Sequence, residues 1–200
     1  SPYVNAWKWD DATGFGTKYT DPATIPTGAG WCCSFSPDGT DVVYGHNNSP
    51  RNYSAYPWTF AGGFGSVASP ASPLPTNGQR NGIAFTSAGN YIGMAVASVP
   101  RLRTYAWNGA SFGAQVADAP NAGSVANTAY GVDFTYVDDA FIGGFSVSPY
   151  LFAYPFSGTY GTVYSNPSPL PTSPTQDVKF TPDAAAVIQA GNGTPFVSAW

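Results

Sequence analysis

Glutamate does not occur in this sequence; all eleven acidic residues are aspartate. Glutamate favours helix interiors, whereas aspartate bonds its own backbone in turns, so the choice argues against helix. No segment carries a capped apolar period of 3.6 residues either. Charge is scarce: 9% of residues, with three Lys, four Arg, one His, a net charge of −4 and a pI near 4.5. Nucleic-acid binders carry a basic stripe, and seven scattered cations do not make one. No apolar run reaches the length of a membrane span, and the N-terminus lacks a charged-then-apolar leader, so membrane insertion is not expected. The two cysteines, Cys32 and Cys33, are adjacent. Neighbours on a strand point to opposite faces, so a disulfide between them would be strained. One is expected in the core and the other toward the next repeat.

Apolar residues make up 43% of the chain and aromatics 16%, which argues for a packed core rather than disorder. The 23 Gly and 19 Pro recur at matching places along the chain and act as turn punctuation. The recurrence has a tight period. Trp9, Trp58, Trp107 and Phe156 are spaced by 49, 49 and 49 residues. Phe15, Phe64, Phe112 and Tyr160, each followed by Gly, are spaced by 49, 48 and 48; Phe35, Phe85, Phe134 and Phe180 by 50, 49 and 46. A fixed period in this range signals a propeller, solenoid or array.

Each copy holds four short strand segments. The first lies around Phe35, Phe85, Phe134 and Phe180. The second covers 42–45, 91–96, 141–145 and 186–190; the third covers 53–58, 102–107, 151–156 and 196–200. The fourth lies around Phe64, Phe112 and Tyr160. Short hairpin links such as Pro37-Asp38-Gly39 join the first two, and Ala61-Gly62-Gly63 joins the last two. Long Pro-rich connections, which cannot be strand interiors, lead to the next copy. Four antiparallel strands repeated at this length read as an all-β chain of propeller blades, four blades of about 49 residues in one domain spanning 1–200. The first strand of each copy is expected to line the central channel, where Gly82, Ala84, Gly131 and Val132 allow close approach. The aromatics of the last two strands are expected to pack neighbouring blades together. The chain begins and ends partway through a copy. The strand inventory predicts a closed four-bladed ring, completed by the N-terminal fourth strand, or an open section of a larger propeller.

The strings F-S-P-D-G at Phe35–Gly39, S-P at Ser49-Pro50 and Ser148-Pro149, and A-Y-P-W at Ala55–Trp58 resemble WD-repeat-like propeller sequences. With G-F-G and the following Pro-rich connection, the combination resembles tandem propeller repeats of bacteriophage virion and tail-associated proteins. F-S-P-D-G is common among propellers, so it specifies fold more than function. The Gly-His…Trp-Asp pair of the eukaryotic WD repeat is missing, and its His–Asp network is not implied. The resemblance implies a virion or extracellular setting and a role in attachment or assembly, alone, as an oligomer or within a longer repeat array.

Catalytic patterns are thin. A Ser-His-Asp arrangement would need His46, with Asp38 or Asp41 as its orienter. The G-x-S-x-G string at Gly109–Gly113 falls in a hairpin link rather than on a strand-to-helix elbow. The pairs Asp10-Asp11 and Asp138-Asp139 read as turn formers, since glycosidase carboxylates converge from separate strands. One His beside two adjacent Cys makes no zinc site, no calcium loop is present, and no cofactor is expected. Binding is better motivated. The links between second and third strands and the long connections share one face, which collects His46, Asn47, Asn48, Arg51, Arg80, Arg101 and Arg103. Planar guanidiniums beside Asn and Tyr suit a glycan or an acidic protein surface. The sequence therefore predicts a non-enzymatic binding or assembly module of a phage-like virion, then a carbohydrate-binding propeller lectin, and last a hydrolase at the channel mouth. A lectin would repeat one polar and aromatic trio in each copy, and these loops differ.

Overall fold

A computed structural model describes residues 3–26, 28–47, 52–68, 80–109, 111–121 and 128–200. Every regular element among them is a β-strand, and all pairings are antiparallel. The chain opens with a hairpin of β1 (Trp7–Asp10) and β2 (Gly14–Lys18). A four-stranded sheet follows: β3 (Gly30–Phe35), β4 (Asp41–His46), β5 (Tyr53–Thr59) and β6 (Gly63–Phe64). The next has β7 (Arg80–Phe85), β8 (Tyr91–Val96), β9 (Leu102–Trp107) and β10 (Phe112–Gln115). A three-stranded sheet holds β11 (Ala129–Phe134), β12 (Ala140–Phe145) and β13 (Leu151–Pro155); its fourth segment contributes only the bridge between Phe156 and Tyr160. The last sheet is β14 (Thr175–Phe180), β15 (Val187–Gly191) and β16 (Val197–Ala199).

The strand segments thus fall where the repeat predicts them, but four strands per repeat hold in two sheets only. The expected closure differs too. β2 pairs with β1 and not with β16, so the N-terminal hairpin stands as a separate sheet instead of completing the last one.

One device shapes all four links between first and second strands. The Ser or Thr after the anchor Phe accepts a backbone N–H from the start of the second strand: Asp41 to Ser36 at 2.9 Å, Tyr91 to Thr86 at 3.0 Å, Ala140 to Thr135 at 3.1 Å and Ala186 to Thr181 at 3.0 Å. Its own hydroxyl donates to a side chain inside the link, Asp38, Asn90, Asp139 or Asp183. Such side-chain bonds replace ladder bonds that a tight turn cannot make. Three residues after each clamp the chain takes a left-handed conformation, at Gly39, Gly89, Asp138 and Ala184. Glycine adopts it freely and Asp tolerates it, whereas Ala184 is strained there.

The sheets lie side by side with their first strands adjacent: β3 beside β7, β7 beside β11, β11 beside β14. Glycine makes this approach possible, as the sequence predicts. A Cβ on Gly82 would sit 2.5 Å from the Tyr130 carbonyl oxygen, and one on Gly131 would sit 2.7 Å from the Asp177 Cα. Middle strands are sandwiched. β4 and β12 are buried at every position, while β15, with no described sheet beyond it, is half exposed. The core is a set of clusters between facing sheets, such as Val43 and Ala55 against Ile92, Tyr105 and Trp107. The recurring aromatics first pack edge-to-face within their own sheet, as Phe85, Trp107 and Phe112 do, and then close on the sheet before. Third-strand tyrosines also tie down the preceding connection. Tyr56 donates to the Thr24 carbonyl and Tyr154 to that of Pro120. Burial pushes the Tyr154 phenol up to about 12, so it remains a donor.

Candidate functional site

A hollow of about 690 Å³ opens where the C-terminal ends of the first strands meet their links. Strand direction brings residues of the four first strands β3, β7, β11 and β14 to its wall, Phe35, Phe85, Asp133 and Lys179 among them. Phe35 and Tyr136 are exposed at its rim, and Ser34 and Ser87 lie alongside. A second hollow of about 330 Å³ continues along the same strands past Trp31, Cys33, Asn81 and Asp177. The cysteines do not divide into one core and one inter-repeat residue: Cys32 is half-buried against the cluster it shares with the next sheet, and Cys33 is exposed beside the smaller hollow.

The charge in this hollow is concentrated in one pair. Asp133 and Lys179 occupy the same register position on neighbouring first strands and meet at 3.3 Å. The second Asp133 oxygen accepts the Phe180 N–H at 2.8 Å, which locks β11 to β14. Burial raises the Asp133 pKa, and Lys179 pulls it back. A carboxyl whose pKa is higher in the folded state favours folding at acid pH, and that contribution is lost as pH rises through the folded pKa. Lys179 matters only once Asp133 is ionised. Lys179→Met is therefore expected to match the parent below about pH 4. Toward neutral pH it should lose on the order of 1 kcal/mol or less, since the ammonium is half exposed and screened. Urea unfolding at the two pH values checks this; an equal loss at both would mean that the Lys179 ammonium acts independently of the Asp133 charge, through its contact with the Val132 carbonyl.

The loop residues singled out from the sequence lie at the opposite ends of the sheets from this hollow. His46 is buried at the end of β4, with Nε2 3.1 Å from the Ser54 hydroxyl and its ring stacked on Tyr44. Asp41 sits at the other end of the same strand, and Asp38 is bonded to Ser36 and Thr40, so the structure does not assemble a Ser-His-Asp set. Asn47 is exposed and its N–H donates to the Ala29 carbonyl. Arg101 and Arg103 turn inward and are buried. Arg101 donates to the Ala97 carbonyl, and Arg103 to those of Pro100 at 3.2 Å and Val99 at 3.3 Å. Both brace the loop between β8 and β9, and burial lowers the Arg101 pKa. Arg80 opens β7, paired with Val96 through the backbone. Asn48 and Arg51 lie outside the described residues.

The remaining candidates are absorbed by turns. Asp138 accepts the Ser87 and Ala88 N–H groups of the neighbouring link, Asp10 accepts those of Ala12 and Thr13, and Ser111 bonds to Asn108. Among the described residues no three His, Cys or acidic side chains gather as a metal site would require. The sequence pointed away from the hollow because recognition was sought in long variable loops. The signal for it was nonetheless present: the residue before each anchor Phe reads Ser34, Ala84, Asp133 and Lys179, so two charges appear at one repeat position on adjacent copies.

No family model and no curated protein matches the chain. Solved structures do. One is a candidate 6-phosphogluconolactonase from Bacteroides uniformis ATCC 8492, with a TM-score of 0.74 at 10% identity over 96% of this chain and 59% of that one. Another is U3-55K, a WD40 protein, with a TM-score of 0.62 at 10% identity over 88% of this chain and 50% of that one. The fold is propeller-type. This chain spans 59% of the first structure and half of the second, and at such identity the likeness carries fold and no activity. Both hollows lie along the first strands, where neighbouring sheets approach one another.

Proposed function

We propose that this chain is a non-enzymatic propeller module that binds a saccharide or another neutral polar surface at the mouth between its first strands. The observation that carries this reading is an open hollow with exposed Phe35 and Tyr136 around the Asp133–Lys179 ion pair. Aromatic faces take up the apolar side of a sugar ring, and a few fixed polar groups orient its hydroxyls. The pair offers both donors and acceptors with little net charge, which suits neutral ligands better than phosphates. The virion or extracellular attachment role implied by the repeat resemblance fits such a site. Of the two ring states, the open section of a larger propeller is the one the separate β1–β2 hairpin supports.

A glycan array followed by calorimetric titration tests the proposal. A limited set of saccharides is expected to bind, and Tyr136→Ala should weaken them about tenfold, the value of one lost stacking contact of roughly 1.4 kcal/mol. Tyr136 is exposed, so the fold is not expected to change. Silence on the array, binding indifferent to Tyr136, or turnover of 6-phosphogluconolactone by the purified chain would each overturn the reading.

A further inference from the structure

The seam between the β11–β13 sheet and the β14–β16 sheet turns polar at one end. Gln189 pairs with Val178 in the place where Met94 pairs with Ile83 and Gly143 with Val132. Thr175 pairs with Gly191 where Ala129 pairs with Phe145. The repeat thus puts apolar or small residues at these positions in the earlier sheets. Both exceptions are deeply buried: Gln189 is 2% exposed and Thr175 0%. Among the described residues, neither Gln189 Nε2 nor Thr175 Oγ1 has a hydrogen-bond partner. Buried polar groups in folded proteins are nearly always paired, because an unpaired one forfeits its bonds to water. The two groups belong to one place. Gln189 and Gly191 share a face of β15, and Thr175 lies across from Gly191 with the two Cβ positions about 5 Å apart. Gly191 is not in a left-handed conformation, so its missing side chain serves space rather than backbone. Three polar atoms close on that space. A Cβ on Gly191 would lie 2.6 Å from Ser173 Oγ, 2.7 Å from Gln189 Nε2 and 3.3 Å from the Pro174 carbonyl oxygen. Ser173 is buried as well.

We propose that one water molecule is a fixed part of this seam, bound beside Gly191 by Gln189, Thr175, Ser173 and the Pro174 carbonyl. The partners select water. All four are uncharged, so an ion would be buried there without compensation. Buried waters typically make about three hydrogen bonds to groups of this kind. Water also both donates and accepts, which suits a hydroxyl, a carbonyl and an amide in either orientation. The bound water joins the connection entering β14 to β15, where the Asn192 N–H already donates to the Pro174 carbonyl at 3.3 Å. None of these groups belongs to the proposed saccharide site, so either inference can fail alone.

Nuclear magnetic resonance tests this on the whole chain, through cross-relaxation between water and the side-chain amide protons of Gln189. The parent is expected to show a cross-peak of the sign given by a water held longer than the molecule takes to tumble. No such cross-peak in the parent would overturn the proposal, whatever the variants do. Melting temperatures give a second reading. Gln189→Met, the residue the repeat uses two sheets earlier, leaves the water and Thr175 one partner short, so it should melt about 2–4 °C lower. Thr175→Val should act in the same direction. The double variant removes both polar partners together and should regain most of the loss, because apolar replacement of a whole polar set is nearly neutral. Single variants that melt above the parent would show plain orphaned groups relieved by apolar atoms, and would sink the bound water.

Discussion

Phe141→Ala is expected to destabilise the protein by about 3–5 kcal/mol, the range for emptying a fully buried aromatic site. For a chain of this size that amounts to a fall in Tm of roughly 6–20 °C. Phe141 is the second residue of β12 and has no exposed surface. Its ring packs on Phe134 at 4.7 Å and on Tyr160 at 5.6 Å. It also fills the space above Gly93 of the preceding sheet, where a Cβ would come within 2.4 Å of the ring. The substitution opens a void between this sheet and the preceding one, and both sheets are held by their other contacts, so little collapse can follow. Phe141→Leu keeps most of the volume and should cost less than about 1.5 kcal/mol. Calorimetry reads both. A Phe141→Ala melt within a degree or two of the parent would show that the ring is not a filler between sheets.

Gly131→Ala should cost nearly as much, about 3 kcal/mol, by the opposite mechanism of overpacking. Its added Cβ would lie 2.7 Å from the Asp177 Cα and 2.8 Å from the Val178 nitrogen. Those are backbone atoms, so no side chain can rotate away. β11 and β14 would have to separate, and the bond from Phe180 N–H to Asp133 across that seam would stretch with them. Chemical denaturation of the single variant gives the answer. An unchanged midpoint would mean that the two first strands run farther apart than the close approach described above.

Both effects trace to features legible in the sequence, though unequally. The anchor Phe, the Ser or Thr after it and the small residue three further on recur because each link needs a clamp and a left-handed corner. Gly82 and Gly131 were readable as points of close approach, because a small residue in a first strand has few other reasons to recur. The fourth strand was less predictable. Tyr160 keeps the aromatic anchor and is half-buried, donating or accepting a hydrogen bond with Thr104, yet the segment makes only one bridge. A short edge strand is defined by backbone pairing that a single anchor side chain does not reveal.

The period, the all-β character and the order of segments in each repeat were determined by the sequence alone. They depend on local turn chemistry and on aromatic spacing, which repeat wherever the same local structure repeats. The tertiary structure alone decided which charged groups turn outward. Arg101 and Arg103 read as surface cations, but their own loop offers carbonyls within reach and they fold back to use them. Asp133 and Lys179, 46 residues apart, read as ordinary strand residues until parallel placement of two first strands made them partners. Whether a side chain faces water, a neighbour or its own backbone depends on what lies across from it, and across-chain distance is the quantity that a linear pattern does not encode.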